Sequence, residues 1–232
     1  FDGLYYQWGR PTPLPLGKTL SENKTFSPNG SENVKMYDRS KNPFDFYTKV
    51  PDSEHTTSLW GYRPETQEYT KTIYDPCPAG YRVPSYKLTH NMDIELDHVG
   101  GDNHLIHYIT ETNHDMFFPI NGYWYYDSVN NLIKRNGYLI DGNTSGENDF
   151  GSYVWLATTT KENTIYEPYL MDIIVVGSEN NYHVQEVHTT NKPDYPATFA
   201  MPVRCVSRRS HSEVKDLSAS QTANSYIVSE AG

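Results

Sequence analysis

The sequence predicts an α+β domain, with helix signal in its first half and strand signal in its second. Three observations predict this class. From Met116 onward, FFPINGYWYY, GYLI, SYVWLATT, PYLMDIIVVG, NYHVQEVH and FAMPVRCV are strand-length runs separated by Asn, Gly and Asp turns. After Pro84 the pattern changes, and Ser85 is placed to cap a helix carrying Leu88, Met92 and Leu96 at four-residue spacing. At 232 residues the chain is long enough for one large domain with a substantial core and too short for a second enzyme-sized one.

The elements follow in chain order. Residues 1–10, FDGLYYQWGR, read as a short aromatic strand. The next stretch, PTPLPLGKTLSENKTFSPNGSENV, is rich in Pro, Gly, Ser and Asn and reads as surface loop. Residues 43–75 remain loop-rich around a packed anchor of Trp60, Gly61 and Tyr62, and end in the Pro/Gly turn YDPCPAGYRVP before the helix. Between His90 and Asp115 lie His98, His104, His107 and His114 with Asp93, Glu95, Asp97 and Asp102. Folded together these would suit a metal, but their spacing matches no zinc or EF-hand pattern, so the segment reads as a solvated polar loop with no metal expected. The later strands then form a meander or small curled sheet, and no fixed-period repeat spans the chain.

The chain has two cysteines, Cys77 in the Pro/Gly turn and Cys205 in the last strand run. Period-two alternation puts Phe199, Met201, Val203 and Cys205 on one strand face and Ala200, Pro202 and Arg204 on the other, so Cys205 points toward a core. The residues leave two states open: a disulfide closing more than a hundred residues in an oxidising compartment, or two buried thiols.

Charge and composition narrow the function. With 19 basic and 29 acidic side chains the net charge is -10, which opposes nucleic acid and anionic membranes. There is no run of apolar residues long enough to insert in a membrane, and the start at Phe1 reads as a piece of something longer. Tyr is in excess, 20 against 8 Phe, and offers amphipathic contact area at low rotamer cost, although it is also a good strand former. No GxSxG elbow, HExxH, P-loop or GxGxxG occurs, and no enzyme is expected.

Five phrases in order, YYQWGR (5–10), DPCPAGYRVP (75–84), FFPINGYW (117–124), GSYVWLATT (151–159) and FAMPVRCV (199–206), resemble the major paralogous domain of Fibrobacter and Bacteroidota surface proteins. The departure is at Tyr153-Val154-Trp155-Leu156, where that family tends to show YWSS-like wording. The resemblance covers residues 1–208 and implies a C-type-lectin-like fold, distantly related to the formylglycine-generating enzymes. Short helices would pack on a small mixed or antiparallel sheet with long loops and adjacent terminal strands. It also implies a Cys77–Cys205 disulfide tying a helix layer to the terminal hairpin. Trp8 and Trp155 would be core residues, and Arg204 would anchor a carboxylate. Residues 209–232 would be a linker and the truncated start of a following element; alternation of Tyr226 and Val228 with Ile227 leaves two states open for Ser225–Ser229, an edge strand for a neighbouring domain or subunit or a disordered end. Formylglycine-type activity needs neighbouring reactive cysteines, which the two separate phrases do not provide.

The function expected is a non-enzymatic, adhesin-like binding module on a bacterial cell surface, recognising a glycan or a protein. Its ligand-facing candidates are Tyr123, Trp124, Tyr125, Tyr126, Tyr166, Tyr169, Asn180, Asn181, Tyr182 and His183, aromatics and amides in turn-bounded strands, with about half of the aromatics buried. No cofactor is expected. Calcium-dependent sugar binding is disfavoured because Glu167-Pro168-Tyr169 lacks the Asn of an EPN motif and no WND follows. Besides the ligand, the expected partners are other domains of the same surface protein. The alternatives are a structural domain of a fimbria or multidomain stalk and, more remotely, a retroelement-diversified lectin-like protein.

Overall fold

The computed structural model describes residues 4–14, 27–29, 41–42, 44–49, 59–66, 68–86, 95–99, 105–109, 115–140, 143–144, 150–162, 165–176, 183–190 and 197–207. In chain order its strands are β1 (Tyr5–Gln7), β2 (Ser27–Asn29), β3 (Asp45–Tyr47), β4 (Tyr62–Arg63), β5 (Glu68–Tyr69) and β6 (Tyr81–Arg82). There follow β7 (Glu95–Val99), β8 (Leu105–Ile109), β9 (Asp115–Pro119), β10 (Asn121–Asp127), β11 (Leu132–Ile140) and β12 (Asn143–Thr144). The last are β13 (Phe150–Glu162), β14 (Ile165–Val176), β15 (His183–Thr190), β16 (Ala200–Pro202) and β17 (Val206–Ser207).

This corrects the α+β, lectin-like expectation: the described residues form a β-rich fold with no helical element, and Tyr86 alone has helical conformation. Residues 87–94 lie outside the described residues, and Leu96, assigned to the helix, pairs with Tyr108 in the β7–β8 ladder. The four-residue spacing of Leu88, Met92 and Leu96 is coincidental with respect to Leu96, which follows the strand pairing of Glu95 with Ile109. The polar-loop reading of 90–115 is corrected in part as well. Glu95–Val99 and Leu105–Ile109 are strands of a β7-β8-β9 sheet, with His98 opposite His107 and Ile109 opposite Asp115. The excursion after Arg10 also contains a strand, β2, paired in parallel with β3.

Two sheets carry the architecture. One has the order β1-β16-β10-β11-β12 and the other β13-β14-β15. The terminal strands lie together, Tyr5 opposite Pro202 and Gln7 opposite Ala200, in antiparallel register. Between the two sheets lies the largest core, where Tyr6, Trp8 and Met201 meet Tyr153, Trp155, Ala157 and Leu170. Phe199, Val203 and Cys205 pack on the same cluster, so the period-two face read from FAMPVRCV is one face in space, although the ladder pairing is interrupted between Pro202 and Val206. Phe150, Val154, Leu156, Met171, Ile173 and Val175 pack on the opposite face of β13 and β14 with Phe118 and Ile120. Strands buried on both faces explain the near-continuous apolar runs SYVWLA and YLMDIIVV. A third cluster, Tyr5, Leu14, Phe46 and Ala200, covers the outer face of the first sheet with Trp124, Tyr126 and Ile133 against it.

The motif phrases have local physical reasons. Trp155 is fully buried and its indole N–H donates to the Tyr6 carbonyl at 2.9 Å, joining the two sheets. The buried Gln7 amide donates to the Tyr47 carbonyl (2.8 Å) and accepts from the Tyr47 N–H (2.8 Å), acting as a side-chain rung between β1 and β3. Arg10 is buried, donates to the carbonyls of Thr12 (3.0 Å), Asp45 (2.5 Å) and Asn42 (3.0 Å), and lies over the Tyr47 ring. Burial pulls its pKa below the usual arginine value. In the DPC turn, the Asp75 carboxylate accepts from Lys71 Nζ (2.8 Å), the Cys77 N–H (2.8 Å) and the Tyr69 hydroxyl. That hub sets the course of the chain into Cys77.

Cys77 and Cys205 form a disulfide with a Cα–Cα distance of 5.6 Å. It lies beside the β6–β17 pairing, Arg82 opposite Val206 and Tyr81 opposite Ser207, and so joins the Pro/Gly turn to the last strands. The helix layer expected on the Cys77 side is absent from the described residues. The expected 208/209 boundary and the Ser225–Ser229 segment lie outside the described residues.

Candidate functional site

The candidate site is the β10–β11 hairpin, which carries four consecutive aromatics of the expected set. Strand alternation sends them to opposite faces. Tyr123 stacks on Phe199 with centroids 5.2 Å apart and planes 11° apart, and meets Tyr153 edge-on at 5.0 Å. Its hydroxyl accepts from Asn136 Nδ2 at 3.1 Å. Tyr125, on the same face, lies 5.7 Å from Phe199 and 6.1 Å from Tyr123. On the other face Trp124 meets Tyr5 edge-on at 6.4 Å, and the Tyr126 hydroxyl donates to Asn131 Oδ1 at 2.9 Å. All four are partly buried.

The hairpin is rigid for identifiable reasons. Arg135, opposite Trp124, donates to the Asn121 carbonyl through Nε (3.0 Å) and Nη2 (2.7 Å), and to the Tyr5 hydroxyl (2.7 Å). Its guanidinium lies among the rings of Tyr5 (5.6 Å), Trp124 (5.8 Å) and Tyr138 (4.8 Å), a cation–π arrangement that fixes the hairpin to β1. Gly122 (φ +59°) and Gly137 (φ +67°) occupy the left-handed region, and a Cβ on Gly122 would stand 2.0 Å from the Asn136 carbonyl oxygen.

At the hairpin end the Asp127 carboxylate accepts from the Val129 N–H (3.0 Å), the Asn130 N–H (3.3 Å) and Asn130 Nδ2 (2.6 Å). It also pairs with Lys134 Nζ at 2.5 Å. Hydrogen bonds from Asn130 and Lys134 hold the Asp127 carboxyl well below the usual carboxylate range, and Asp127 raises Lys134 in turn. Tyr125 is opposite Lys134 and two residues from Asp127, so the three side chains share one face.

The other expected ligand-facing residues lie elsewhere. Tyr169, on β14, is partly buried against Tyr86 at 5.7 Å, and burial raises its phenol pKa. Tyr166 and His183 belong to β14 and β15, pairing with Lys161 and Val176, but their side chains lie outside the described residues, as do Asn180, Asn181 and Tyr182 altogether. Arg204, expected to anchor a carboxylate, lies over the Phe118 ring at 4.9 Å. Sequence reasoning missed Phe199, Lys134 and Asn130 as members of the hairpin site. The available signal was the DSVNN turn, which fixes the register that brings Lys134 opposite Tyr125.

A second polar feature crosses the other sheet. Tyr153, Asp172 and His188 are register partners on β13, β14 and β15, and His188 Nδ1 lies 3.5 Å from Oδ1 of the fully buried Asp172. Among the described residues no group of three or more His, Cys, Asp or Glu is placed to hold a metal ion, and no helix is long and apolar enough to cross a membrane. No family model, curated protein or solved structure matches this chain.

Proposed function

We propose that the chain is a non-enzymatic extracellular binding module of a bacterial surface protein, and that it recognises its ligand through the Tyr125–Phe199 side of the β10–β11 hairpin. The observation that carries this reading is the partly exposed Tyr125–Phe199 pair on a hairpin already held rigid by Arg135 and by the Asp127 turn. A pre-ordered aromatic surface loses little entropy on binding. The Cys77–Cys205 disulfide supports an oxidising location, and the net charge of -10 argues against nucleic acid and anionic membranes. The five motif phrases support kinship with Bacteroidota surface proteins.

The test is to probe immobilised glycans and extracellular proteins with the oxidised chain, in calcium and in chelator. We expect a saturable, chelator-insensitive signal that is lost in Tyr125→Ala and retained in Tyr169→Ala. A blank from folded protein rejects the reading and transfers the weight to a structural stalk or fimbrial role.

A further inference from the structure

We infer that the Asn121 amide and the Ser152 hydroxyl form a binding site for a single buried water molecule, where the first sheet meets the edge of β13 that faces away from β14. The orientation of the amide is fixed by its neighbours. The Tyr153 N–H donates to Asn121 Oδ1 at 3.2 Å, so a flipped amide would set donor against donor. The Asn121 backbone carbonyl is itself committed, accepting from the Tyr5 hydroxyl (2.8 Å) and from Arg135 Nε (3.0 Å) and Nη2 (2.7 Å). Nδ2 therefore carries its two hydrogens into the interior, and among the described residues neither it nor the Ser152 hydroxyl has a hydrogen-bond partner. Ser152 precedes Tyr153, and covalent geometry keeps its Oγ within about 5 Å of the Tyr153 nitrogen that Asn121 holds. Two orphaned polar groups thus flank one backbone N–H. Alternation turns Ser152 to the β13 face of Phe150 and Val154, where Ile120, the residue before Asn121, also packs.

The chemistry of the two groups selects the ligand. A buried donor left without an acceptor forfeits its bond to water and gains nothing in return. The ligand must accept from Nδ2 and also serve a hydroxyl, which takes either role. Water does both, and two protein groups suffice for a buried water, which makes two to four hydrogen bonds. A metal cation would face amide hydrogens, because Oδ1 is already used by Tyr153. A halide would lose its hydration among Phe118, Ile120, Phe150 and Val154 in exchange for two neutral donors. An organic ligand would have to reach side chains closed to solvent, since Asn121 is 1% exposed and Ser152 0%. The water extends the Asn121–Tyr153 bond into a two-point seam between the first sheet and β13.

The experiment is a high-resolution crystal structure of the full oxidised chain, repeated after a bromide soak and on Ser152→Val, with water-to-protein NMR cross-peaks measured in solution. In the parent we expect one ordered oxygen within hydrogen-bond distance of both Asn121 Nδ2 and Ser152 Oγ, with no anomalous signal after the soak. Cross-peaks from this water to the Asn121 side-chain amide protons should carry the sign of a long-lived molecule. Ser152→Val removes the hydroxyl and fills the space with an apolar group suited to its neighbours, so the oxygen and the cross-peaks should vanish while the Tyr153–Asn121 bond remains. An Asn121 Nδ2 that donates directly to a protein acceptor, a dry contact, bromide at the site, or an oxygen that survives Ser152→Val each overturns the site. If Ser152→Val does not fold, the density and cross-peaks of the parent decide alone. None of these outcomes depends on what the hairpin binds.

Discussion

Asp127 shows how much one partly buried carboxylate organises when its donors are local. It accepts from two backbone N–H groups of its own turn, from the Asn130 amide and from Lys134 across the hairpin. These bonds depress its pKa, so the sign of the linkage is fixed. Its contribution to stability is present above the carboxylate range of the unfolded chain and is lost as pH falls through the lower folded value. Lys134 is raised by the same contact, so its share is present below the ordinary lysine range and is lost as pH rises through the raised value. Asp127→Asn should therefore lower Tm by an amount that is constant above about pH 5 and shrinks as pH falls through about 4. Thermal unfolding of parent and variant across that range checks it, and a difference that grew on acidification would contradict the assignment.

At the scale of the element, the β10–β11 hairpin owes its shape to Gly122 and Gly137. An L side chain at Gly122 meets both a left-handed backbone and a carbonyl oxygen 2.0 Å from its Cβ. Gly122→Ala should cost at least about 1–2 kcal/mol for the backbone conformation alone. It should also shift the Asn136–Tyr138 strand and weaken Tyr125-dependent binding, whereas Gly80→Ala, whose Cβ would meet nothing, should bear the conformational strain without the clash. Urea midpoints of the two variants separate those contributions. The hairpin was legible in part, as the runs FFPINGYWYY and GYLI, because Lys134, Arg135 and Asn136 interrupt the apolar pattern of β11, and the long strands β13 and β14 were legible as the runs SYVWLATT and PYLMDIIVVG. The β7–β8 pair was not. Its ladder positions carry Glu95, His98 and His107, and polar residues at ladder positions read as loop when nothing shows what they face. The helix reading after Ser85 fails at Leu96, where the spacing with Leu88 and Met92 outweighed the strand signal. The Tyr125–Phe199 contact was hidden because its partners come from distant segments, and only pairing Trp124 with Ala200 brings them together.

At the scale of the molecule, the fold depends on contacts that return residues 197–207 to the beginning and middle of the described residues. β16 pairs with β1, β17 pairs with β6, Val203 bridges Trp155, and the Trp8 N–H donates to the Ala197 carbonyl at 3.2 Å. Such long closures cost entropy when they form, and the disulfide reduces that cost by shortening the unfolded chain's excursions. With a sequence separation of 128, the chain-entropy model assigns the bond about 5 kcal/mol, and removal of native disulfides in small secreted domains costs about 2–5 kcal/mol. The Cys77→Ser/Cys205→Ser double variant should therefore fold to the same sheet pairing, because the Asp75 hub and the β6–β17 ladder remain, but with its urea midpoint lowered accordingly. The m-value should rise at the same time, since an unfolded chain without the cross-link exposes more surface. Near-UV circular dichroism establishes that the variant is native, and the two parameters from one denaturation curve then locate the effect. A lower midpoint with a raised m-value places it in the unfolded ensemble, whereas an unchanged midpoint would mean that the strand pairings alone hold the termini and that the bond adds nothing to stability.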